Sequence, residues 1–396
     1  MNAGPTLGQI LRAVIEGGCA PNLRLSPDHW RVLRALAACR TPALGGQLFY
    51  CPACEREQFV AHSCRNRHCP QCQGNLALDW LEQQEKALLP IPYFHLVFTI
   101  PHVLNPLIRQ NRRAMFHLLF EAASQTLLEF GRQRLGAQIG ITVVLHTWSQ
   151  TLLDHYHVHC IVSGGGLALQ GSGWVSTPNY YLFPVKALSR MFRGKFLAGL
   201  KGLYDAGKLE FHGQLHGLAQ AGEFGRLLRL TAKDNWVVYA KRPFAGPKQV
   251  LKYLSNYTHR VAISNRRLIS ADGRSVTFSY KDYADGERRK TMTLALEEFV
   301  RRFCLHLLPR GFVKIRHYGL LSNRGRAQRL ERARKLLGVA VPATANTAVE
   351  PLTKEMLAAV TPARVCCPYC GRPTLVLLRE VSSVRPGRRL PVLDSS

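Results

Sequence analysis

Residues 154–166 read DHYHVHCIVSGGG: histidine at 155, 157 and 159, then apolar residues, then Gly164, Gly165 and Gly166. Such alternation is a strand signature, because side chains at i and i+2 share one face, about 6.5–7 Å apart along the chain. On that reading His157 and His159 converge from one face, Val158 turns into the core, and the glycines close the strand. A pair of neutral imidazoles suits a transition ion such as Mn²⁺ and tolerates Mg²⁺ when phosphate and water complete the shell. A third protein ligand is expected, either His155 on the same face or Gln150 at the end of the preceding strand. The competing reading is a row of solvated histidines.

Working outward, FHLVFTIP and ITVVLHTWS predict two further strands, and NWVVYAK a fourth. Periodic apolar spacing predicts helices over 75–89, 104–135 and 186–206, and Pro247 opens another in PKQVLKYLSNYTHR. The order strand, helix, two adjacent strands, helix, strand, helix predicts an α+β fold: a central, largely antiparallel sheet with flanking helices. Two short amphipathic helices over 7–39, with Ser26 and Asp28 as caps, form an N-terminal helical and zinc-binding domain with the Cys-rich stretch behind them. Beyond 265 the pattern predicts hairpins at Asp272-Gly273 and Asp285-Gly286, the helix LALEEFVRRFCLHLL, a strand in GFVKIRHYG and the basic helix NRGRAQRLERARKLLG. The expected divisions are 1–90, 91–265, 266–340, and 341–396. The last comprises a linker, a Cys-x-x-Cys knuckle and a disordered tail.

Composition names the partner. Lys and Arg number 53 against 25 acids, a formal charge of +28. Such a surplus repels itself unless a polyanion is present, and it draws nucleic acid. No amphipathic basic segment suggests a membrane anchor, and no run reaches the roughly 18 apolar residues of a membrane span. The first residues carry no basic stretch leading into an apolar core, so a soluble, cytoplasmic, nucleoid-associated protein without a small-molecule cofactor is expected.

In CPACEREQFVAHSCRNRHCPQC, residues 51–72, Cys51 with Cys54 and Cys69 with Cys72 form two knuckles. Two such turns complete a tetrahedral zinc site, with Cys64, His62 or His68 as possible replacements or helpers of a second ion. With every position filled by protein, that zinc is structural. Buried free thiols are the alternative. Arg65 and Arg67 beside it suggest a DNA-contacting module. CCPYC, residues 366–370, offers one more knuckle, with Cys366 or Cys367 ahead of Cys370 and no evident second half.

The segment KYLSNYTHR sets Tyr253 and Tyr257 four apart, on one helix face with β-carbons about 6 Å apart. Stacked core tyrosines would look the same, but Lys248, Lys252, His259 and Arg260 make these surroundings basic. A phenol with a reference pKa near 10 needs its proton removed and its target made electrophilic. A metal held by two histidines can withdraw charge from a phosphate oxygen, so phenolate attack would leave a covalent phosphotyrosine and a free 3′ hydroxyl.

His-hydrophobic-His followed by a tyrosine pair resembles the HUH endonucleases, specifically the two-tyrosine rolling-circle transposases of bacterial insertion sequences. SCRNRHCPQCQ, FTIPH, HCIVSGGGL, YLSNYTHRVAISNRRL and EEFVRRFCLHLLPRGFVKIRHYGLLSNR are similar to that family as well, and the likeness runs from about residue 8 to 375. The resemblance implies an N-terminal zinc module, a nuclease domain on an antiparallel sheet, and action on single-stranded DNA at element ends. By position it makes His157 and His159 the metal pair and Tyr253 and Tyr257 the nucleophiles. Tyr156 departs from the pattern, which leads one to expect proline there.

Four rivals are separable. A replication initiator or relaxase shares the chemistry but not the setting between short element ends. A non-catalytic zinc DNA-binding protein would show no metal-dependent nicking, and a tyrosine recombinase would survive chelation. A three-carboxylate transposase is disfavoured because acids are scarce and no converging set presents itself.

Overall fold

The computed structural model describes residues 4–18, 22–73, 88–178, 182–241, 261–283, 285–339 and 366–383. The first strands are β1 (Gly46–Cys51) and β2 (Arg56–Ala61), followed by β3 (Tyr93–Thr99), β4 (Ala137–Trp148), β5 (Asp154–Ala168), β6 (Trp174–Ser176) and β7 (Val238–Lys241). After them come β8 (Leu268–Ala271), β9 (Ser275–Asp282), β10 (Arg288–Ala295), β11 (Ile315–Gly319) and β12 (Val376–Val381). The central sheet runs β11-β4-β5-β3-β7 with β6 on β5, and its pairings are antiparallel. The expected α+β architecture is therefore present, with β4 and β5 as its long central strands.

Strand parity sorts this sheet into two faces. Phe94, Leu96, Phe98, Ile141, Val143, Leu145, Val158, Cys160 and Val162 all enter one apolar core. Helices Arg112–Phe130 and Val185–Asp205 cover that face with Phe116, Phe120, Phe192 and Phe196. With Val158 and Cys160 committed to the core, His157 and His159 must project from the opposite face. A second core joins the N-terminal helices Leu7–Glu16 and Pro27–Ala37 to Phe278, Phe299 and Phe303. Segments expected in 1–90 and 266–340 thus share one interior.

Local signals explain several boundaries. The His29 amide donates to Ser26 Oγ at 3.3 Å, capping the second helix as expected. Asp272 Oδ1 accepts from the Arg274 and Ser275 amides and closes the β8–β9 hairpin around Gly273. The long helix expected over 104–135 is instead interrupted at Asn111, where ψ is 36°. The Asn111 side chain is spent on the backbone of Glu210, donating to its carbonyl at 2.9 Å and accepting from its amide at 2.7 Å. Nor do the three glycines end their strand: β5 continues through them to Ala168. A Cβ on Gly166 would lie 2.3 Å from the Gln138 carbonyl oxygen, and Gly165 has φ +153°. Close approach of β4 and β6, rather than a turn, requires glycine here. β1, β2, β12 and the helix Ala221–Lys233 had no counterpart in the sequence reading. Among the described residues no helix is long and apolar enough to cross a membrane.

Candidate active site

His157 and His159 stand side by side on β5, and the cross-strand partner of His157 on β4 is His146. One ring nitrogen from each of the three lies within 4.8 Å of the others. The orientation of the pair is fixed from behind. His157 Nδ1 sits 2.8 Å from the carbonyl oxygen of His155, which can only accept, so that nitrogen carries the proton and Nε2 presents its lone pair. His159 Nδ1 meets His95 Nε2 at 2.9 Å, with the two rings stacked at 5.1 Å. The Nε2 atoms of His157 and His159 then face one another at 3.1 Å. Two nitrogens bound at right angles, each about 2.1 Å from one ion, would be about 3.0 Å apart, so the donor set fits a metal. His146 completes it with its ring stacked on Trp148 at 4.8 Å.

The third nitrogen beside the pair thus belongs to His146, not to His155 or Gln150. The His155 ring lies 4.6 Å from that of His157 by centroid but sets its Nδ1 3.2 Å from His102 Nε2, and Gln150 lines the cleft while its backbone carbonyl accepts from Arg267. The physical reason is register: His146 on the next strand sits beside both members of the pair, 5.4 Å from His157 and 4.5 Å from His159 by ring centroid, whereas His155 is four strand residues from His159. Burial, then the nearby His102, lowers the His155 pKa. Burial, with Lys241 adding to it, lowers that of His95 to about 4. A neutral His95 can receive or supply the hydrogen bond that holds His159.

These rings open onto a cleft of about 770 Å³ whose other wall is the end of β9, with Tyr280, Lys281, Asp282 and Tyr283. Tyr283 is 62 % exposed, and the Lys281 ammonium lies 5.4 Å from its ring centroid. The Lys314 ammonium lies 5.3 Å over Trp148. Aromatic faces beside cations form a surface on which unpaired bases can stack.

Tyr156 points away from the histidine face into the core, 5.7 Å from the Phe116 ring. Its hydroxyl donates to Asp154 Oδ1 at 2.9 Å, and Arg109 pairs with Oδ2 of the same buried carboxylate. Tyrosine in place of the expected proline therefore leaves the parity of His157 and His159 intact. Tyr156→Phe is expected to lower stability by about 1–3 kcal/mol, because it strips one hydrogen bond from a buried carboxylate. Urea unfolding measures this; an unchanged midpoint would show that the hydroxyl contributes nothing.

The cysteines correct the sequence reading. Cys51, Cys54, Cys69 and Cys72 do not share a site: Cys69 and Cys72 gather with Cys39 and Cys64, whereas Cys51 and Cys54 gather with Cys367 and Cys370. The β1–β2 hairpin carries the first knuckle to its tip, and the returning chain brings Cys64 back to the end of helix Pro27–Ala37, beside Cys39. In that tetrad the Cys39–Cys72 and Cys39–Cys69 sulfurs are 3.5 Å apart and Cys64–Cys72 3.6 Å. A tetrahedron with zinc–sulfur bonds of about 2.3 Å has edges of about 3.8 Å, so the spacing suits one ion. Cys39 lies outside any Cys-x-x-Cys pattern, and no sequence signal marked it. His68 stands apart from both sets, accepting from the Leu308 amide at 3.3 Å, with burial pushing its pKa down to about 3. Arg65 is exposed with φ 50°, and Arg67 donates to the Phe312 carbonyl. Lys248, Lys252, Tyr253, Tyr257, His259 and Arg260 lie outside the described residues, as does nearly all of the helix expected over 75–89.

Known proteins resemble the chain along most of its length. Residues 140–329 match a family described as "Putative transposase", and residues 11–100 match a "Transposase zinc-binding domain". The chain is 42 % identical over 385 residues to "Putative transposase y4qJ" of Sinorhizobium fredii, covering 96 % of this chain and 97 % of that protein. It is 29 % identical over 340 residues to "Transposase for insertion sequence element IS801" of Pseudomonas savastanoi pv. phaseolicola, covering 85 % of this chain and 80 % of that protein. No solved structure matches it.

Proposed function

The chain belongs to the IS91/IS801 family of transposases, and from that premise we propose that it cuts and rejoins single-stranded DNA through a 5′-phosphotyrosine in rolling-circle transposition. The observation that carries this reading is the convergence of His146, His157 and His159 at the floor of a cleft walled by aromatic and basic side chains. These three would hold Mn²⁺ or Mg²⁺, with substrate phosphate and water filling the remaining positions. When bound, such an ion supplies Lewis acidity to a non-bridging phosphate oxygen.

The chain's own residues do the rest. His95 and the His155 carbonyl hold the two β5 imidazoles in the orientation that presents Nε2. Trp148, Tyr280 and Tyr283 receive unpaired bases, a role duplex DNA could not fill without unstacking. Arg65, Arg67, Lys248, Lys252, His259 and Arg260 supply phosphate contacts. Tyr253 and Tyr257 are the nucleophiles. The phenol gives up its proton, its oxygen bonds to phosphorus, and the bond from phosphorus to the 3′ oxygen breaks. That oxygen takes up a proton as a 3′ hydroxyl. Reversal by a 3′ hydroxyl from another strand rejoins the DNA. Two phenols allow two such transfers without release of the first strand. In support, Val261 and Ala262, which follow this segment in sequence, line a small cavity with Trp148, which also borders the histidine cleft. The tetrad Cys39, Cys64, Cys69 and Cys72 lies wholly within the matched zinc-binding domain and would hold a structural zinc.

The test is nicking of labelled element ends. Single strands with Mn²⁺ should be cleaved and leave protein on the 5′ phosphate of the downstream fragment, whereas EDTA or a fully paired duplex should suppress the reaction. Cleavage indifferent to chelation would remove the metal reading. His95→Ala should weaken metal-supported nicking about 10- to 100-fold, the usual effect of losing a group that orients a metal-binding histidine. Raising the Mn²⁺ concentration should recover part of that loss; a variant with wild-type metal dependence would deny His95 this role.

A further inference from the structure

We propose that Cys51, Cys54, Cys367 and Cys370 form a second structural zinc site, which fastens the C-terminal strand to the N-terminal hairpin. The matched zinc-binding domain ends at residue 100, so half of this site comes from a part of the chain that the domain does not include.

The two halves have the same construction. Cys51-Pro-Ala-Cys54 is followed by Glu55, and Cys367-Pro-Tyr-Cys370 by Gly371. Glu55 and Gly371 both adopt left-handed backbone, with φ 56° and 71° respectively. Each donates its amide to the carbonyl of the first cysteine in its own knuckle, at 2.8 Å in both cases. A turn closed in this way points two thiols to the same side. Facing one another, the knuckles bring Cys51 and Cys370 sulfurs to 3.7 Å and Cys54 and Cys367 sulfurs to 3.6 Å. Those separations fit the edge of about 3.8 Å expected for four thiolates around zinc. They are far longer than the roughly 2.05 Å of a disulfide.

The surroundings agree. Thr374 places its hydroxyl 3.0 Å from Cys51 Sγ, where it can donate to a metal-bound thiolate. The guanidinium of Arg56, just after the first knuckle, covers the ring of Tyr369 inside the second at 4.9 Å. The geometry also chooses between adjacent cysteines: Cys367 is buried in the cluster and Cys366 is exposed outside it.

The strand beyond the second knuckle gives the site its purpose. β12 pairs with β1 from Val376↔Tyr50 to Val381↔Gly46, yet Val376, Leu377 and Leu378 are each about half exposed. Burial therefore contributes little to holding this strand, and the tetrad that joins the two ends of the chain is the strong tie beside its ladder. Where a site forms only in the folded chain, metal-binding free energy is folding free energy. Removing the ion should release β12 while the central sheet stays folded.

The experiment measures zinc per chain on the full-length protein reconstituted with Zn²⁺ under reducing conditions, with the histidine site disabled by His157→Ala/His159→Ala in every sample and the cysteines otherwise wild type, together with amide hydrogen exchange. With its cysteines intact this protein should hold two zinc ions per chain, and with Cys367→Ser/Cys370→Ser one. In that variant the amides of residues 376–381 should lose their protection, while those of β4 and β5 keep theirs and certify the fold. One zinc with the cysteines intact, or two still held by the cysteine variant, would overturn the proposal. So would unchanged protection of residues 376–381, or a Cys51–Cys370 or Cys54–Cys367 disulfide in non-reducing peptide maps. None of these results depends on the nicking reaction, so the site stands or falls apart from the catalytic reading.

Discussion

His146→Ala is expected to reduce Mn²⁺-supported nicking of single-stranded element ends at least about 100-fold, while single-strand affinity stays within a few-fold of wild type. The expectation rests on cross-strand register. His146 faces His157 directly, its ring centroid 4.5 Å from that of His159 and 5.4 Å from that of His157. Alanine there leaves two imidazoles to hold the ion, and two ligands give a weaker and less directional site. Higher Mn²⁺ should restore activity in part, because His157 and His159 keep their anchors at the His155 carbonyl and His95. His155→Ala is the matched control: its Nδ1 is engaged by His102 and it is not among the three converging nitrogens, so its loss should leave metal dependence unchanged. The reverse ranking, with His155→Ala the more damaging to metal dependence, would restore His155 as the third ligand.

The second large effect concerns the phenols. Tyr253→Phe/Tyr257→Phe should abolish the covalent protein–DNA adduct and lower cleavage on the order of 10⁴-fold or more, as removal of a nucleophile does. The change takes away two oxygen atoms and no carbon, so metal content, fold and DNA affinity should be retained. Single variants separate the roles. Whichever phenol acts first, its loss should remove the initial nick, while loss of the other should permit nicking but stop the second transfer. A double variant that still becomes attached to DNA would place the nucleophile elsewhere in the chain.

How much of the molecule is legible in its sequence depends on the range of each signal. Alternation is local, so His157-Val158-His159 revealed both the strand and the face on which its histidines lie, and the core residues Val158 and Cys160 bear that out. The third histidine was visible in ITVVLHTWS as one more strand residue. Its role comes only from the register between β4 and β5, which no local pattern encodes. Cysteine knuckles are local too, and Cys51/Cys54, Cys69/Cys72 and the C-terminal knuckle were each legible. Their partnering is tertiary: pairing the two nearest in sequence was wrong because the β1–β2 hairpin separates them. Cys39 carries no pattern of its own and was recruited by a helix end. Glycine misled in the opposite direction. As a breaker it suggested that β5 stops at Gly164, whereas Gly165 and Gly166 answer neighbouring backbone that comes too close for a Cβ.

The most direct test of the central claim, that one cleft presents both metal and phenol to a single phosphate, is to map the adduct. Wild type incubated with Mn²⁺ and a phosphate-labelled single strand should yield, after proteolysis, a nucleotide-bearing peptide modified at Tyr253 or Tyr257, and His146→Ala should yield almost none. Label on any other residue, or on those tyrosines at undiminished yield without His146, would contradict it.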